Sequence, residues 1–238
     1  MSVKIVLWDI DGTILNFYEA QKNAIRSCFE KFALGICDDE MIDIYDGINH
    51  KYWKALERGE MTKPQVLRGR FLEFFELYGI DTDVVDDFNN EYQVRLGDTI
   101  CFYDGVLDVL KQLRKMGVLQ FAVTNGTKIA QDRKLAASGL DEIFDGIFIS
   151  EEVGAEKPSP DFFKPVWNKA KEMIPDISLD DILIIGDSMT SDMQLGKNVG
   201  IKTCLFMHES STLVSGIGSA QEAGVNLMIT GFEQIQCS

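Results

Sequence analysis

Short apolar runs recur along the chain, separated by segments whose apolar residues are spaced three or four positions apart. The runs are rich in β-branched and aromatic residues, which is typical of buried strands. They lie at Val3–Trp8, Leu119–Thr124, Gly146–Ser150, Ile182–Gly186 and Thr203–Met207, with a weaker run at Leu227–Thr230. Helical spacing lies between them, for example over 106–113 and 129–136. This alternation predicts an α/β fold with a parallel sheet and helices on both faces.

The stretch from Phe17 to Arg95 shows helical patterns and no clear strand. Four glycines are expected to break these patterns: Gly35, Gly47, Gly59 and Gly79. A block of helices between the first and second strands predicts an inserted domain. The predicted organisation is an α/β core over 1–16 and 97–238 and an α-helical domain over 17–96. A Gly/Ser-rich stretch, Ser210–Gly218, is expected to be a flexible surface loop.

Composition and charge exclude several classes of protein. The 238 residues are 45% hydrophobic and 26% charged, as in an ordinary globular protein, and the formal net charge is -15. That charge argues against binding nucleic acid polymers or acidic membranes, so an anionic ligand needs local positive charge. Five scattered cysteines fit reduced thiols, and no apolar stretch is long enough for a signal peptide or a membrane span. The expected location is the cytoplasm.

Two carboxylates follow the first strand. Asp9 and Asp11 stand two residues apart in the turn Asp9-Ile10-Asp11-Gly12-Thr13. Carboxylates that face one cleft repel each other unless a cation compensates, and Mg²⁺ prefers carboxylate and carbonyl oxygens. The alternative is a simple strand-ending turn.

A second strand ending in a carboxylate lies at Ile182–Gly186, followed by Asp187 and by Asp192. Asp187 is expected to complete the ligand set of the cation. Asp192 is expected either to bind a metal-bound water or orient a neighbour, or to serve as an acid at a helix N-terminus.

Two further segments carry phosphate-binding chemistry. Thr124 and Asn125 end the second strand, where a hydroxyl and backbone N–H groups can hold phosphate oxygens. The alternative is that they cap the next helix. Lys157 lies in a Pro-rich turn and can neutralise a nucleophile and a phosphoryl group, or it can be an exposed loop lysine.

Together these segments resemble the four motifs of the haloacid dehalogenase-like (HAD) hydrolase superfamily, in the same order. The resemblance implies a Rossmann-like core with an α-helical cap, Asp9 as nucleophile and Asp11 as general acid/base. It also implies Mg²⁺ held by the Asp9 carboxylate, the Asp11 main-chain carbonyl and Asp187, and phosphate bound by Thr124 and Lys157. The second aspartate, Asp11, favours phosphate chemistry over dehalogenation. Gly186 before Asp187, where the mutases of the superfamily carry Glu, favours hydrolysis.

Several segments are similar to the pyrimidine 5′-nucleotidase subgroup of this superfamily: Trp53–Thr62, Arg70–Phe71, Thr124–Thr127 with Gln131, Ser138–Leu140, Asp187–Asp192 and Gly200–Cys204. This similarity implies a nucleoside 5′-monophosphatase acting on a small phosphorylated metabolite. The aromatic residues Phe17, Tyr45 and Trp53 are candidates for stacking on a base, with core packing as the alternative.

Two other functions stay open at this point. One is a sugar-phosphate or phosphoglycolate phosphatase with the same catalytic residues. The other is a phospho-acceptor signalling domain, which also places an aspartate, a threonine and a lysine around Mg²⁺. The chain length, the helical insertion and Asp11 favour an enzyme over the signalling domain.

Overall fold

The computed structural model describes residues 3–207 and 224–235, so the predicted loop Ser210–Gly218 lies outside the described residues. The chain divides into two compact units. The sheet unit comprises the described parts of residues 1–16, 102–128 and 138–238. The helical unit comprises Phe17–Cys101 and Ile129–Ala137.

A parallel sheet forms the centre of the sheet unit. Its strands in the described residues are β1 Ile5–Trp8, β2 Leu119–Thr124, β3 Gly146–Ile149, β4 Ile182–Gly186, β5 Lys202–Phe206 and β6 Leu227–Ile229. They are arranged in the order β3-β2-β1-β4-β5-β6, and each neighbouring pair is parallel. The predicted α/β fold is confirmed, including the weaker strand near residue 227.

The α-helices of the described residues are α1 Phe17–Lys31, α2 Asp39–Glu57, α3 Lys63–Tyr78, α4 Val85–Asp98, α5 Val106–Lys115, α6 Lys128–Ser138, α7 Ser150–Val153, α8 Pro160–Met173 and α9 Gln194–Val199. A π-helical turn, Met189–Met193, precedes α9.

All four residues of β1 are buried, as expected for a central parallel strand that is covered on both faces. Alternate residues of the central strands share one face of the sheet, because successive side chains in a strand point to opposite sides. On this face they form one cluster with side chains of α8 and α9: Ile5, Leu7, Phe121, Val123, Phe162, Val166, Ile182, Ile184 and Leu195.

The register places the ends of three strands at one edge of the sheet. Trp8, the last residue of β1, pairs with Ala122 of β2 and with Ile185 of β4. Chain order reverses at β1, with β2 on one side and β4 on the other. Open α/β sheets bind ligands beyond the carboxyl ends of their strands at such a reversal. Asp9 is the first residue beyond β1 at this point.

An aromatic cluster fills the core of the helical unit. The ring centroid of Phe71 lies 5.0 Å from those of Tyr45, Phe88 and Tyr92. Such pairs stabilise a core by about 0.5–1.5 kcal/mol each beyond the burial of their area. Tyr45 is fully buried, so core packing accounts for this residue. Phe17 packs against the same cluster.

Three of the four glycines expected to break the helices lie in the connections between helices. Gly35, Gly59 and Gly79 follow α1, α2 and α3 with positive φ angles of 90°, 72° and 64°. The prediction for Gly47 is wrong, because α2 continues through it. A glycine inside a helix costs about 1 kcal/mol relative to alanine. Here the buried face of α2, which includes Ile48, offsets that cost.

Residues 129–137 of α6 group with the helical unit. Arg133 forms a two-pronged ion pair with Asp98, with N···O distances of 2.7 and 2.8 Å. Gly97 allows this approach, since a Cβ atom there would lie 2.8 Å from the Arg133 Cβ. The helical unit thus includes residues outside 17–96, because it extends past the end of α4 and also contains residues 129–137. The division into two domains at residues 17 and 96 stays a prediction.

The structure also bears on membranes and thiols. Among residues 3–207 and 224–235, no helix combines the length and the apolar character that crossing a membrane requires. The four described cysteines are free thiols: Cys28, Cys37, Cys101 and Cys204. The cytoplasmic location stays a prediction.

Close packing at Gly196 predicts different responses to the same substitution at two helical glycines. In Gly196→Ala, the new Cβ would overlap Cγ2 of Thr203 and lie 3.2 Å from Cγ2 of Ile184. We expect a loss of about 1–3 kcal/mol in the free energy of unfolding. Gly47→Ala, which meets no atom within 4 Å, is the matched control and should gain about 0.5–1 kcal/mol. Urea unfolding measures both, and an equal response at the two sites would contradict the packing described here.

Candidate active site

The turn after β1 positions the first carboxylates. The backbone N–H of Asp9 donates to the Ile185 carbonyl at 3.0 Å, which ties the turn to β4. The N–H groups of Ile14 and Leu15 both donate to the Ile10 carbonyl, at 3.0 and 2.9 Å. The chain therefore folds back directly after Asp9. Asp11 lies within this turn and is half-buried.

Gly12 is required in this turn for two reasons. Its φ of 87° lies in the left-handed region, which disfavours residues with a Cβ atom. A Cβ atom would also lie 2.5 Å from Oδ2 of Asp187. The Asp187 carboxylate thus lies directly against the backbone of the first turn, although the two segments are far apart in sequence.

Thr13 connects two carboxylates. Its hydroxyl is fully buried and lies 3.3 Å from Oδ2 of Asp9 and 3.4 Å from Oδ1 of Asp187. Sequence reasoning included Thr13 in the motif but assigned it no role. The signal was present, because a hydroxyl donor next to two carboxylates can hold one of them in place.

The Lys157 side chain lies at the centre of the site and is 1% exposed. Its ammonium group donates to Oδ1 of Asp9 at 2.7 Å, to Oδ1 of Asp192 at 2.6 Å and to the Val123 carbonyl at 2.8 Å. A lysine ammonium has three N–H donors, so all three are used. The alternative of an exposed loop lysine is excluded.

The Asp192 carboxylate contacts both Lys157 and the start of its own turn. One carboxylate oxygen accepts from the Lys157 ammonium, and the other accepts from the Ser188 N–H at 3.1 Å. A Cβ atom at Gly186 would overlap this carboxylate. These two contacts fit both a carboxylate that orients a neighbour and an acid that caps the start of the π-helical turn.

Opposing effects act on the pKa values of the central ion pair. Burial raises the pKa of Asp9, and the Asp192 and Asp187 carboxylates raise it further, whereas Lys157 opposes the shift. Burial alone would lower the pKa of Lys157, but Asp192 and Asp9 together outweigh it and hold that pKa above its ordinary value. Lys157 is therefore charged at neutral pH.

The carboxylates fit a hard divalent cation. Asp9, Asp187 and Asp192 each offer an oxygen, and these oxygens lie within 4.8 Å of one another. With Lys157, three carboxylates and one ammonium leave two negative charges without compensation, which matches the charge of Mg²⁺. Both oxygens of Asp192 already accept protein donors. Both oxygens of Asp9 accept protein donors as well, from Lys157 and Thr13. Each carboxylate oxygen has two lone pairs, so these hydrogen bonds leave acceptor capacity for a cation on Asp9, Asp187 and Asp192.

The end of β2 carries the predicted phosphate-binding residues. The Thr124 hydroxyl oxygen accepts from the Gly126 N–H at 3.0 Å. Because α6 begins only at Lys128, Thr124 is not the residue that caps that helix. The Asn125 amide pairs with the backbone of Lys157, with both distances at 2.8 Å. The Asn125 amide thus forms hydrogen bonds to the protein backbone at this site.

Residues 6–206 match the protein family described as haloacid dehalogenase-like hydrolase. Because the match covers most of the chain, the chain belongs to that family, and the predicted resemblance is confirmed. The prediction of a phosphoric monoester hydrolase is confirmed at the level of this class.

Individual relatives are similar over most of their length. The chain is 35% identical to the HAD-hydrolase YfnB of Bacillus subtilis, covering 84% of this chain and 83% of that protein. It is 32% identical to the pyrimidine 5′-nucleotidase PynA of Streptococcus pneumoniae, covering 87% and 84%. It is also 32% identical to the glyceraldehyde 3-phosphate phosphatase of Methanopyrus kandleri, covering 84% and 82%.

A solved structure of YfnB from Bacillus subtilis, bound to magnesium, superposes with a TM-score of 0.85. The two chains are 31% identical in this comparison, which covers 99% of this chain and 97% of YfnB. This likeness confirms the α/β HAD fold.

The raised pKa of Asp9 predicts that its charge costs stability in the metal-free protein. The folded state holds the Asp9 proton more tightly than the unfolded state, so stability falls as the pH rises from about 4 through the folded-state pKa. Asp9→Asn removes this cost. In chelator at pH 7 we expect this variant to unfold at a higher urea concentration than the wild type.

The difference in stability between Asp9→Asn and the wild type should shrink as the pH is lowered towards about 4, because the wild-type Asp9 carboxyl is then protonated and uncharged. Asp176→Asn, at an exposed position, is the control and should leave the unfolding curve unchanged. A less stable Asp9→Asn protein at pH 7 would contradict the direction of the shift.

Proposed function

We propose that this chain is a Mg²⁺-dependent phosphatase that hydrolyses phosphate monoesters through an aspartyl-phosphate on Asp9. We further propose that its substrates are nucleoside 5′-monophosphates. The observation that carries the chemistry is the buried Asp9 carboxylate beyond the central strand, held by the Lys157 ammonium at 2.7 Å and flanked by Asp187. The relatives that hydrolyse phosphate esters support the same assignment.

In the first half-reaction an Asp9 carboxylate oxygen attacks phosphorus in line, and the ester P–O bond breaks. Asp11 donates its proton to the leaving oxygen, which departs as an alcohol. Lys157 and Thr13 hold Asp9 from two sides before the attack. This preorganisation lowers the entropic cost of reaching the transition state.

In the second half-reaction Asp11, now a carboxylate, takes a proton from water. The water oxygen bonds to phosphorus, and the bond between phosphorus and Asp9 breaks. The products are inorganic phosphate, the Asp9 carboxylate and a protonated Asp11, so the enzyme returns to its starting state. One residue thus serves as acid and then as base.

The proposed ligands of Mg²⁺ are the carboxylates of Asp9 and Asp187 and the main-chain carbonyl of Asp11, with Asp192 outside the ligand set. Bound there, Mg²⁺ would supply positive charge that offsets the phosphate dianion. All three N–H groups of Lys157 contact protein oxygens. Its contribution is therefore charge compensation, and a direct bond to phosphate requires the exchange of one of these contacts. We assign the hydroxyl proton of Thr124 to a phosphate oxygen.

The proposed substrate class depends on two observations. The pyrimidine 5′-nucleotidase PynA is 32% identical over 87% of this chain. The segment Trp53–Thr62, within the predicted cap, is also similar to that subgroup. The second candidate is a sugar-phosphate or phosphoglycolate phosphatase. The 32% identity to the glyceraldehyde 3-phosphate phosphatase of Methanopyrus kandleri favours this candidate, and the catalytic steps would be the same.

A requirement for the metal follows from the excess of negative charge at the site. We expect chelation with EDTA to abolish phosphatase activity and added Mg²⁺ to restore it. Asp187→Asn should raise the Mg²⁺ concentration needed for half-maximal activity by at least about tenfold, since it removes a charged ligand. Asp180→Asn, an exposed aspartate seven positions earlier, is the control. Full activity in excess chelator would contradict the proposed metal site.

A panel of phosphorylated metabolites, assayed with Mg²⁺ by phosphate release, tests the substrate class. We expect kcat/KM for pyrimidine nucleoside 5′-monophosphates to exceed that for glyceraldehyde 3-phosphate and phosphoglycolate by at least about tenfold, equivalent to about 1.4 kcal/mol. Asp9→Asn should lose at least about a thousandfold in kcat on every substrate, while Asp176→Asn keeps its activity.

The outcomes of this panel separate the parts of the proposal. Faster hydrolysis of sugar phosphates would overturn the nucleotide assignment but leave the chemistry intact. Retained activity in Asp9→Asn would overturn the nucleophile. A protein that accepts one phosphoryl group and then stops would be a phospho-acceptor domain.

A further inference from the structure

The backbone of Lys157 is held by one side chain. The Asn125 Nδ2 donates to the Lys157 carbonyl at 2.8 Å, and the Lys157 N–H donates to Asn125 Oδ1 at 2.8 Å. A single planar amide therefore satisfies both peptide groups of this residue. Buried backbone donors and acceptors need such partners, because leaving one unpaired costs about 1–3 kcal/mol.

The turn that carries Lys157 does not supply these partners itself. The hydrogen bond that closes the turn runs from the Ser159 N–H to the Glu156 carbonyl at 2.9 Å. It spans Lys157 and Pro158 without using the N–H or the carbonyl of Lys157. Asn125 thus gives the turn a connection to β2 that its own backbone geometry does not provide.

The end of β2 holds Lys157 at both ends of its side chain. The Val123 carbonyl accepts from the ammonium at 2.8 Å, and Asn125, two residues later, pairs with the backbone. The Lys157 side chain runs from the backbone that Asn125 holds to the ammonium, which contacts both the Val123 carbonyl and Asp9. The position of the ammonium against Oδ1 of Asp9 therefore depends on where Asn125 holds the Lys157 backbone.

Only a side chain with a donor and an acceptor on one short planar group can form this pair. Asparagine has both, whereas aspartate lacks the donor and serine has a single hydroxyl. The Asn125 Nδ2 also lies 3.4 Å from Oγ of Ser191, in the π-helical turn that carries Asp192. One amide thus joins the Lys157 turn to the segment that supplies its second carboxylate.

We propose that Asn125 is a positioning residue that acts through Lys157, and that it does not bind the substrate. This inference rests on the proposed function, because it assigns a role within the same phosphoryl-transfer site. Its consequence is a specific kinetic pattern. Removing the amide should displace the ammonium from Asp9 and lower kcat, while substrate affinity stays the same.

The test compares Asn125→Ala and Asn125→Ser with Asn198→Ala. Asn198 is the matched control, because it lies at an exposed position in α9 and its Nδ2 donates at 2.9 Å to the carbonyl of Pro158, which belongs to the same turn as Lys157. We expect Asn125→Ala to lower kcat by about 10–100-fold, since misplacing a catalytic group by about 1 Å costs on that order. KM should stay within about twofold, Asn125→Ser should lie between Asn125→Ala and the wild type, and Asn198→Ala should match the wild type.

A rise in KM with kcat unchanged would show that Asn125 binds substrate and would overturn the inference. Equal kinetics in Asn125→Ala and Asn198→Ala would overturn it as well. If Asn125→Ala does not fold, the changes in kcat and KM of Asn125→Ser relative to Asn198→Ala test the inference in the same way.

A crystal structure of the Asn125 variant gives a readout independent of activity. The inference predicts that the Lys157 Nζ leaves its contact with Asp9, and an ammonium retained in place would overturn it. If the wild type hydrolyses no phosphate ester, the proposed function fails. The structural comparison still decides whether Asn125 positions Lys157.

Discussion

The buried ion pair of Lys157 with Asp9 and Asp192 is the interaction on which the rest of the site depends. A buried ammonium is costly unless oxygen atoms satisfy it, and here two carboxylates and the Val123 carbonyl do so. These groups come from segments that follow or end β1, β2 and β4. The ion pair can therefore form only when the parallel sheet brings three distant strand ends together.

The same arrangement explains why the site suits phosphoryl transfer. One lysine does not balance the three carboxylates, and burial, together with the Asp192 and Asp187 carboxylates, raises the pKa of Asp9. A hard cation would remove it and would also attract a phosphate dianion, although the chain as a whole carries a net charge of -15. If Asp9 is the nucleophile that we propose, stability and activity are opposed at this residue, as is common where function requires a strained or charged site.

Much of this could be predicted from the sequence, because it depends on local patterns. Apolar runs that end in Asp9, Thr124 and Asp187 place those residues at one edge of a parallel sheet. Side-chain pairing across the fold could not be predicted in this way. The amide of Asn125 pairs with the Lys157 backbone 32 residues later. The helix break predicted at Gly47 was also wrong, because burial of one face of α2 outweighs the local cost of glycine.

If Asp9 is the nucleophile, it carries the phosphoryl group during turnover, and this group can be trapped chemically. The wild type is mixed with substrate and Mg²⁺, quenched in acid during turnover, reduced with borohydride and mapped by peptide mass spectrometry. We expect residue 9 to be converted to homoserine, and we expect no conversion without substrate or in Asp9→Asn. Modification at another residue, or none during rapid turnover, would show that Asp9 is not the nucleophile.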